Sequence, residues 1–321
     1  MTAAVTVDVA GGPVGGAARY RLELYRHLSR TGREDVQIIG AERRIDFSWL
    51  MRREATWPTR GRRITLTNVG FVAPGGERWT KLGNALHFLT DSELAQLEPS
   101  LRATVRRQAA IVRVAARRSH VLFTPCAAMA ERVARAMPSL RSRIIPRLNP
   151  VSPDLIPSLP REPAILCPIL FESYKRMPTR LQELVTVIDE NGDPSVRLLV
   201  TADRREVPMN LARHPRIDFV GRLSHEDLRD LWARSSAIYF PTGIESFGFP
   251  LAEARVSGHP VIARDTAQNR EIAGSALCSF THGDLASLHD AVKLALTKDV
   301  VPDPAPFDPD AYFTWLLGPP R

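Results

Sequence analysis

The sequence is short of thiols. Its 321 residues include three cysteines, Cys126, Cys167 and Cys278, far apart and in no disulfide or metal-ligand spacing. Cys167 and Cys278 fall in apolar, strand-like runs, so buried, inert thiols are expected, and a reducing cytoplasm fits. No apolar run approaches the length of a membrane span. The opening MTAAVTVDVAGG has no charged region followed by an apolar core, so no signal peptide is expected. Helix-turn-helix, zinc and aromatic-platform signals are missing too, which argues against a nucleic-acid-binding module. No internal repeat or low-complexity tract stands out.

What is present suits a soluble globular chain. Hydrophobic residues make up 44% and charged residues 24%, and the length allows two ordinary domains. The net charge is +8. The excess is mostly arginine and is densest before residue 150. It favours anionic partners: phosphorylated small molecules, lipid head groups or nucleic acid. A general habit of using arginine for lysine, as in a high-GC bacterial source, explains it equally well.

The first half reads as an irregular α/β domain, residues 1–150. Strands are expected at Ala3–Val9, Val36–Gly40, Ile64–Val69, Ala85–Leu89, Val121–Pro125 and Arg143–Leu148. Helices are expected at Ala17–Arg30, Ile45–Arg53 and Ala127–Met137. A longer helical pattern runs over Ser92–Arg118 and breaks near Pro99. Trp57–Arg63 reads as a basic loop and Phe71–Lys81 as a mobile one. The strand, glycine loop and helix around Gly15 and Gly16 have a phosphate-cradling layout, though neither G-x-G-x-x-G nor a P-loop is spelled. A plain turn that lets the helix pack closely is the alternative. The Ser92–Arg118 pattern has Leu101, Val105, Ala109 and Val112 on one face and Arg102, Arg106, Arg113 and Arg117 on another. It suits a crossover helix with a solvated arginine face, or peripheral contact with an anionic membrane surface.

Residues 151–163 form a proline-rich linker. Five prolines lie within Asn149–Pro163. Residues 164–300 then alternate cleanly. Strands are expected at Ala164–Cys167, Val196–Val200, Ile217–Val220, Ala237–Phe240, Pro260–Ala263 and Ala276–Phe280. Helices fall between them at Pro178–Asp189, Glu206–Arg213, His225–Ala233, Pro250–Val256 and Asp284–Leu296. Such alternation builds a parallel sheet with helices on both faces. Ligands bind beyond the carboxyl ends of its strands, where Phe171–Lys175, Thr201–Arg204, Gly221–Arg222 and Thr242–Gly248 open. Residues 301–321 are a tail with a short helix at Ala311–Leu317.

The centre of the chain is Ile238–Asp265. A strand ends at Pro241 and Gly243, a loop follows, and Pro250 starts a helix that Gly258 and Pro260 close. The loop delivers backbone N–H groups at a helix N-terminus, an anion site. Glu245 lies in the loop and Glu253 in the first turn of the helix, both suited to accept hydrogen bonds from sugar or ribose hydroxyls. Two solvated acids after a buried strand are the plainer reading. The string P-T-G-I-E-S-F-G-F-P-L-A-E-A has seven residues between the two glutamates. It resembles the E-x7-E signature of retaining GT-B glycosyltransferases of family GT4. The resemblance extends through Gly258, Pro260 and Arg270-Glu271, and upstream through Ile217–Leu228 and Val121–Val133.

The resemblance implies an α/β fold of two Rossmann-like domains facing each other across a cleft. The first domain takes the acceptor, the second the donor, and the C-terminal tail crosses back to the first, with Phe313 and Trp315 as anchors. It implies a retaining, metal-independent hexosyl transfer from a GDP-, UDP- or dTDP-sugar to a hydroxyl of a polysaccharide, glycolipid or natural product. No cofactor is expected beyond that co-substrate. Glu253 would bind the ribose. Glu245 and the amides of Ser246, Phe247, Gly248 and Phe249 would hold sugar and phosphate, with Gly15 and Gly16 near the donor phosphate. Lys175 would neutralise the leaving diphosphate. The arginine that usually accompanies it is missing, since Leu170 or a neighbour stands there; Arg176 or Arg222 is the replacement. Either His87 or Asn84 in L-G-N-A-L-H-F takes the family's active-site position, and a core role for His87 remains open. A GT-B epimerase, a phosphorylase, an inactive GT-B scaffold and a basic nucleic-acid binder are the competing readings. The phosphorylase lacks its cofactor-lysine motif. No D-x-D on a loop points to a metal.

Overall fold

The computed structural model describes residues 5–11, 15–56, 61–153, 156–157, 159–168, 171–191 and 193–319. The chain forms two compact units. The first holds the described residues through Val151, together with Glu245–Phe247 and the chain from Phe307 on. The second holds Ser152–Ile244 and Gly248–Pro306.

In the first unit the order is β1 (Val5–Asp8), α1 (Gly15–Thr31), β2 (Val36–Ile39), α2 (Phe47–Thr56), β3 (Arg62–Thr65), β4 (Glu77–Lys81), α3 (Asp91–Ala95), α4 (Pro99–Ala116), β5 (Val121–Thr124), α5 (Ala127–Ala136) and β6 (Ile144–Pro146). All its strand pairs are parallel, in the order β2-β1-β3-β4-β5-β6. Three expectations fail here. Ala85–Phe88 is a 3-10 turn rather than a strand, because the Asn84 side chain accepts from the Leu86 amide and caps it. The fourth strand is instead β4, inside the stretch that reads as a mobile loop. Its charges hid it. Lys81 is only 7% exposed and lies over the Tyr20 ring, and Arg62 stacks on Trp79. Burial pushes the Lys81 ammonium well below its ordinary pKa. Arg62 and Arg63 likewise belong to β3, not to a basic loop.

Buried arginines tie this unit together. Arg53 donates to Asp8 at 2.6 Å and to the carbonyls of Val69 and Gly70. Arg63 donates to the Ala73 and Gly75 carbonyls. The terminal helix α12 (Pro309–Leu317) packs on the same unit. Tyr312 and Phe313 meet Tyr20, while Trp315 meets Trp79 and Phe123. The string Asp308-Pro309-Asp310 spells D-x-D, but both acids serve this helix. Asp308 caps it, and Asp310 accepts from Arg30 and bonds His27.

The second unit runs β7 (Glu162–Cys167), α6 (Met177–Glu190), β8 (Arg197–Val200), α7 (Met209–Ala212), β9 (Ile217–Phe219), α8 (His225–Arg234), β10 (Ser235–Phe240), α9 (Phe249–Ser257), β11 (Val261–Arg264), α10 (Ala267–Ala273), β12 (Leu277–Phe280) and α11 (Leu285–Thr297). Its sheet is parallel throughout, in the order β12-β11-β10-β7-β8-β9. Aliphatic strands build the core: Ile165, Leu166, Leu198, Val200, Ile238, Val261 and Ile262 are fully buried. The expected helix at Glu206–Arg213 shortens to α7, because Pro208 breaks the pattern. Helix α10, capped by Thr266, was not expected at all. All three cysteines are buried and none is in a disulfide, and burial pushes the Cys167 thiol up to about 12. No helix among the described residues is long and apolar enough to cross a membrane.

Candidate functional site

The strand order of the second unit reverses between β7 and β10, the two strands its chain order leaves adjacent. A doubly wound sheet offers its crevice at such a switch point, beyond the carboxyl ends. Lys175 follows β7, and Thr242 and Gly243 follow β10. Lys175 closes a 3-10 turn, Ser173–Lys175, and is half-buried. Arg176 next to it takes left-handed backbone angles (φ 50°) at the start of α6. No side chain caps that helix start. Ile169 and Leu170, where the family arginine would stand, lie outside the described residues.

Sequence reasoning missed the strongest companion to Lys175. Arg264 ends β11, on the other side of β10. It is half-buried, and its side chain makes no hydrogen bond or ion pair among the described residues. Its guanidinium lies against Gly243, where any Cβ would collide with it. Burial first, and then the neighbouring Arg180, lower its pKa. Arg180 sits in the first turn of α6, bound to Glu183 at 2.9 Å and to His282 at 3.2 Å. Arg264 and Arg180 also hold His282 below its ordinary pKa, after burial itself. Three cationic or potentially cationic groups thus share one carboxylate, an arrangement made for an anion. The signal was one arginine at the end of an aliphatic strand, V-I-A-R. By contrast, Arg222 is a surface side chain, 77% exposed and 3.8 Å from Glu206, and Arg176 is exposed as well.

Helix α9 begins at Phe249, with Gly248 before it at φ 78°. A Cβ at Gly248 would press on the Phe240 ring at 2.8 Å. This left-handed glycine starts the helix one residue earlier than expected, which moves Glu253 into the second turn. Glu253 is 1% exposed, so it is a buried acid rather than a solvated one. Buried carboxylates persist where hydrogen bonds or charge compensate them.

The segment Glu245–Phe247 groups with the first unit. Ser246 Oγ donates to the Gly83 carbonyl at 2.8 Å, and the Ser246 carbonyl accepts from the Cys126 thiol. Phe247 meets Phe307 edge to face. The Ser246 amide also donates to the Glu245 carboxylate at 3.2 Å. The Gly83 amide in turn donates to the Asn68 side-chain oxygen at 2.7 Å. Asn84 follows directly, and its amide lies 3.5 Å from His87 Nε2. The two candidates for the active-site position are therefore neighbours. His87 is 7% exposed, and burial, the largest cause, lowers its pKa. Gly15 and Gly16 are exposed and open α1, which starts two residues before the expected Ala17. Gly15 has φ 72°. Gly12, Pro13 and Val14 lie outside the described residues. Among the described residues, no three His, Cys, Asp or Glu side chains cluster as metal ligands would.

Residues 162–298 match the family model of the glycosyl transferases group 1. No curated protein sequence matches the chain. Among solved structures, WaaG, a glycosyltransferase involved in lipopolysaccharide biosynthesis, aligns over 98% of this chain and 100% of its own, with 13% identity and a TM-score of 0.63. Sucrose-phosphate synthase from Thermosynechococcus elongatus aligns over 98% and 94%, with 16% identity and a TM-score of 0.61. Anabaena Alr3699/HepE, solved in complex with UDP, aligns over 97% and 94%, with 13% identity and a TM-score of 0.61. At these identities the likeness is one of fold, and that fold is GT-B. Residues 162–298 thus carry a likeness to the glycosyl transferases group 1, on a fold that the whole chain shares with GT-B structures.

Proposed function

We propose that the chain moves a sugar from a nucleoside-diphosphate sugar to a hydroxyl acceptor, with retention of anomeric configuration and without a metal or other cofactor. The observation that carries this is the carboxyl edge of the second sheet. Lys175 and the unpaired Arg264 flank the loop after β10 there, beside an uncapped helix start.

In this reading the donor diphosphate takes the place of the missing counter-charge. Lys175 and Arg264 neutralise the charge that grows on the departing diphosphate, the main electrostatic demand of the transition state. Arg264 does the work expected of Arg176 or Arg222. Glu253 accepts hydrogen bonds from the ribose hydroxyls. Glu245 binds sugar hydroxyls, and the amides of Ser246, Phe247, Gly248 and Phe249 face the phosphate and sugar. Gly15 and Gly16 leave room for the donor phosphate at the start of α1. Asn84 and His87 serve the acceptor side. His87, held neutral by burial, is a proton acceptor at neutral pH. Retention and metal independence rest on the E-x7-E resemblance. The test is turnover of a panel of UDP-, GDP- and dTDP-sugars in the presence of a chelator. One donor should be hydrolysed slowly, with the α or β configuration of the freed sugar read by NMR, and Glu245→Ala should abolish the reaction. No donor binding, together with salt-sensitive DNA binding, would overturn the reading.

A further inference from the structure

The first unit contains a cavity of about 770 Å³. Small-molecule sites commonly measure roughly 300–1,000 Å³. Helix α2, helix α4 and the chain after β3 line it. Large apolar side chains dominate the lining. Phe47 is 77% exposed, and Met51, Ile111 and Val114 are each more than half exposed. Large apolar groups gathered around one hollow and left in water mark a binding site.

The polar groups of the lining are mostly spent. Arg53 serves Asp8, and the Glu54 carboxylate accepts from the amides of Val72 and Ala73. Asp46 accepts from Trp49, Thr67 pairs with Thr65, and Asn68 holds Gly83. What remains is one end of the hollow, at Asn84, His87 and Gln108, where Asn84 Oδ1 already accepts from the Leu86 amide. His87 Nδ1 is buried without a hydrogen bond of regular geometry, beside the Gln108 amide. A free sugar would carry more hydroxyls into this hollow than three side chains can satisfy, and each unmet one would be penalised.

Resting on the transferase reading, we infer that this cavity is the acceptor site and that it takes an alcohol on an apolar body, hydrocarbon or aromatic. The hydroxyl lies at Asn84, His87 and Gln108. The body lies among Phe47, Met51, Ile111 and Val114. The acceptor is then an amphiphile or an apolar aglycone, not a bare sugar.

The test compares decyl β-D-glucoside with methyl β-D-glucoside, both neutral, by titration calorimetry below the micelle concentration. The decyl compound should bind at least tenfold more tightly. Ile111→Glu and Val114→Glu, both at exposed positions, should each weaken decyl glucoside binding at least tenfold. Arg107→Glu, on α4 outside the cavity, should leave it unchanged. Equal binding of the two glucosides, or no effect of either glutamate, would overturn the inference. Sedimentation with phosphatidylglycerol vesicles, lost in Ile111→Glu while decyl glucoside fails to bind, would also overturn it by making this face a membrane contact. Donor hydrolysis by the wild-type chain without acceptor is followed separately. Its absence beside intact decyl glucoside binding would sink the transferase reading instead.

Discussion

The two units are built on the same plan from different materials. Both are six-stranded parallel sheets covered by helices. The second buries mainly aliphatic strands and fewer charged groups, among them Arg180, Glu253 and His259. The first buries guanidinium groups, an ammonium and an aspartate, and uses them to fasten loops and strands. Similar backbone topology can therefore be stabilised by non-directional burial or by directional charge pairs. The two differ in how they fail. An aliphatic core loses a little when a methylene is removed, whereas a buried pair loses much when one partner goes.

The sharpest way to break this comparison is Arg53→Ala. It leaves Asp8, fully buried, without its ion-pair partner, and should destabilise the first unit by about 3–5 kcal/mol in urea unfolding. Ile238→Val in the core of the second unit should cost about 1 kcal/mol. Equal losses would show that the distinction is one of appearance only. Next in size is the functional edge of the second unit. Lys175→Ala and Arg264→Ala should each lower donor turnover by roughly 10²- to 10³-fold, as when one transition-state donor is removed. Unchanged turnover in Arg264→Ala would reduce it to a loop support.

The second unit has one buried titrating group that the comparison can use. Burial, aided by Arg161, lowers the His259 pKa to about 4. Between pH 6.5 and 4 the unfolded chain binds a proton there and the folded chain does not. Stability at this residue is thus intact above pH 6.5 and falls as pH drops toward 4, by up to about 3 kcal/mol. Denaturant midpoints at pH 7 and pH 5 would show it, and His259→Asn should flatten the difference. The smallest effect is local and should be alike in both units. Thr90 caps α3 and Thr266 caps α10, and replacing either by alanine should cost about 1 kcal/mol.

The same contrast governs what could be read in advance. In the second unit, runs such as A-I-L-C, R-L-L-V and A-I-Y-F announce strands because the side chains that face the core are themselves apolar. In the first, E-R-W-T-K does not look like a strand. It becomes one only because Tyr20 and Trp79 are placed to receive the cations of Lys81 and Arg62. The motif residues Glu245 and Glu253 were legible from spacing and turn chemistry. Arg264 was not, since one arginine at a strand end has no periodicity and gains meaning from the strand beside it. The apolar hollow was equally silent: Phe47 and Ile111 lie far apart in the chain and line one hollow only in the folded unit.

By itself the sequence determined the parallel α/β class, the alternating second half, the helix after the glycine loop and the pair of acids around it. Those follow from local backbone preferences and from the period of apolar residues, which any stretch carries with it. The tertiary structure alone decided which cations stand unpaired at the sheet edge, which charges are buried as fasteners, and where apolar surface is left open. Each of these depends on distances between residues remote in sequence, and no local pattern encodes them.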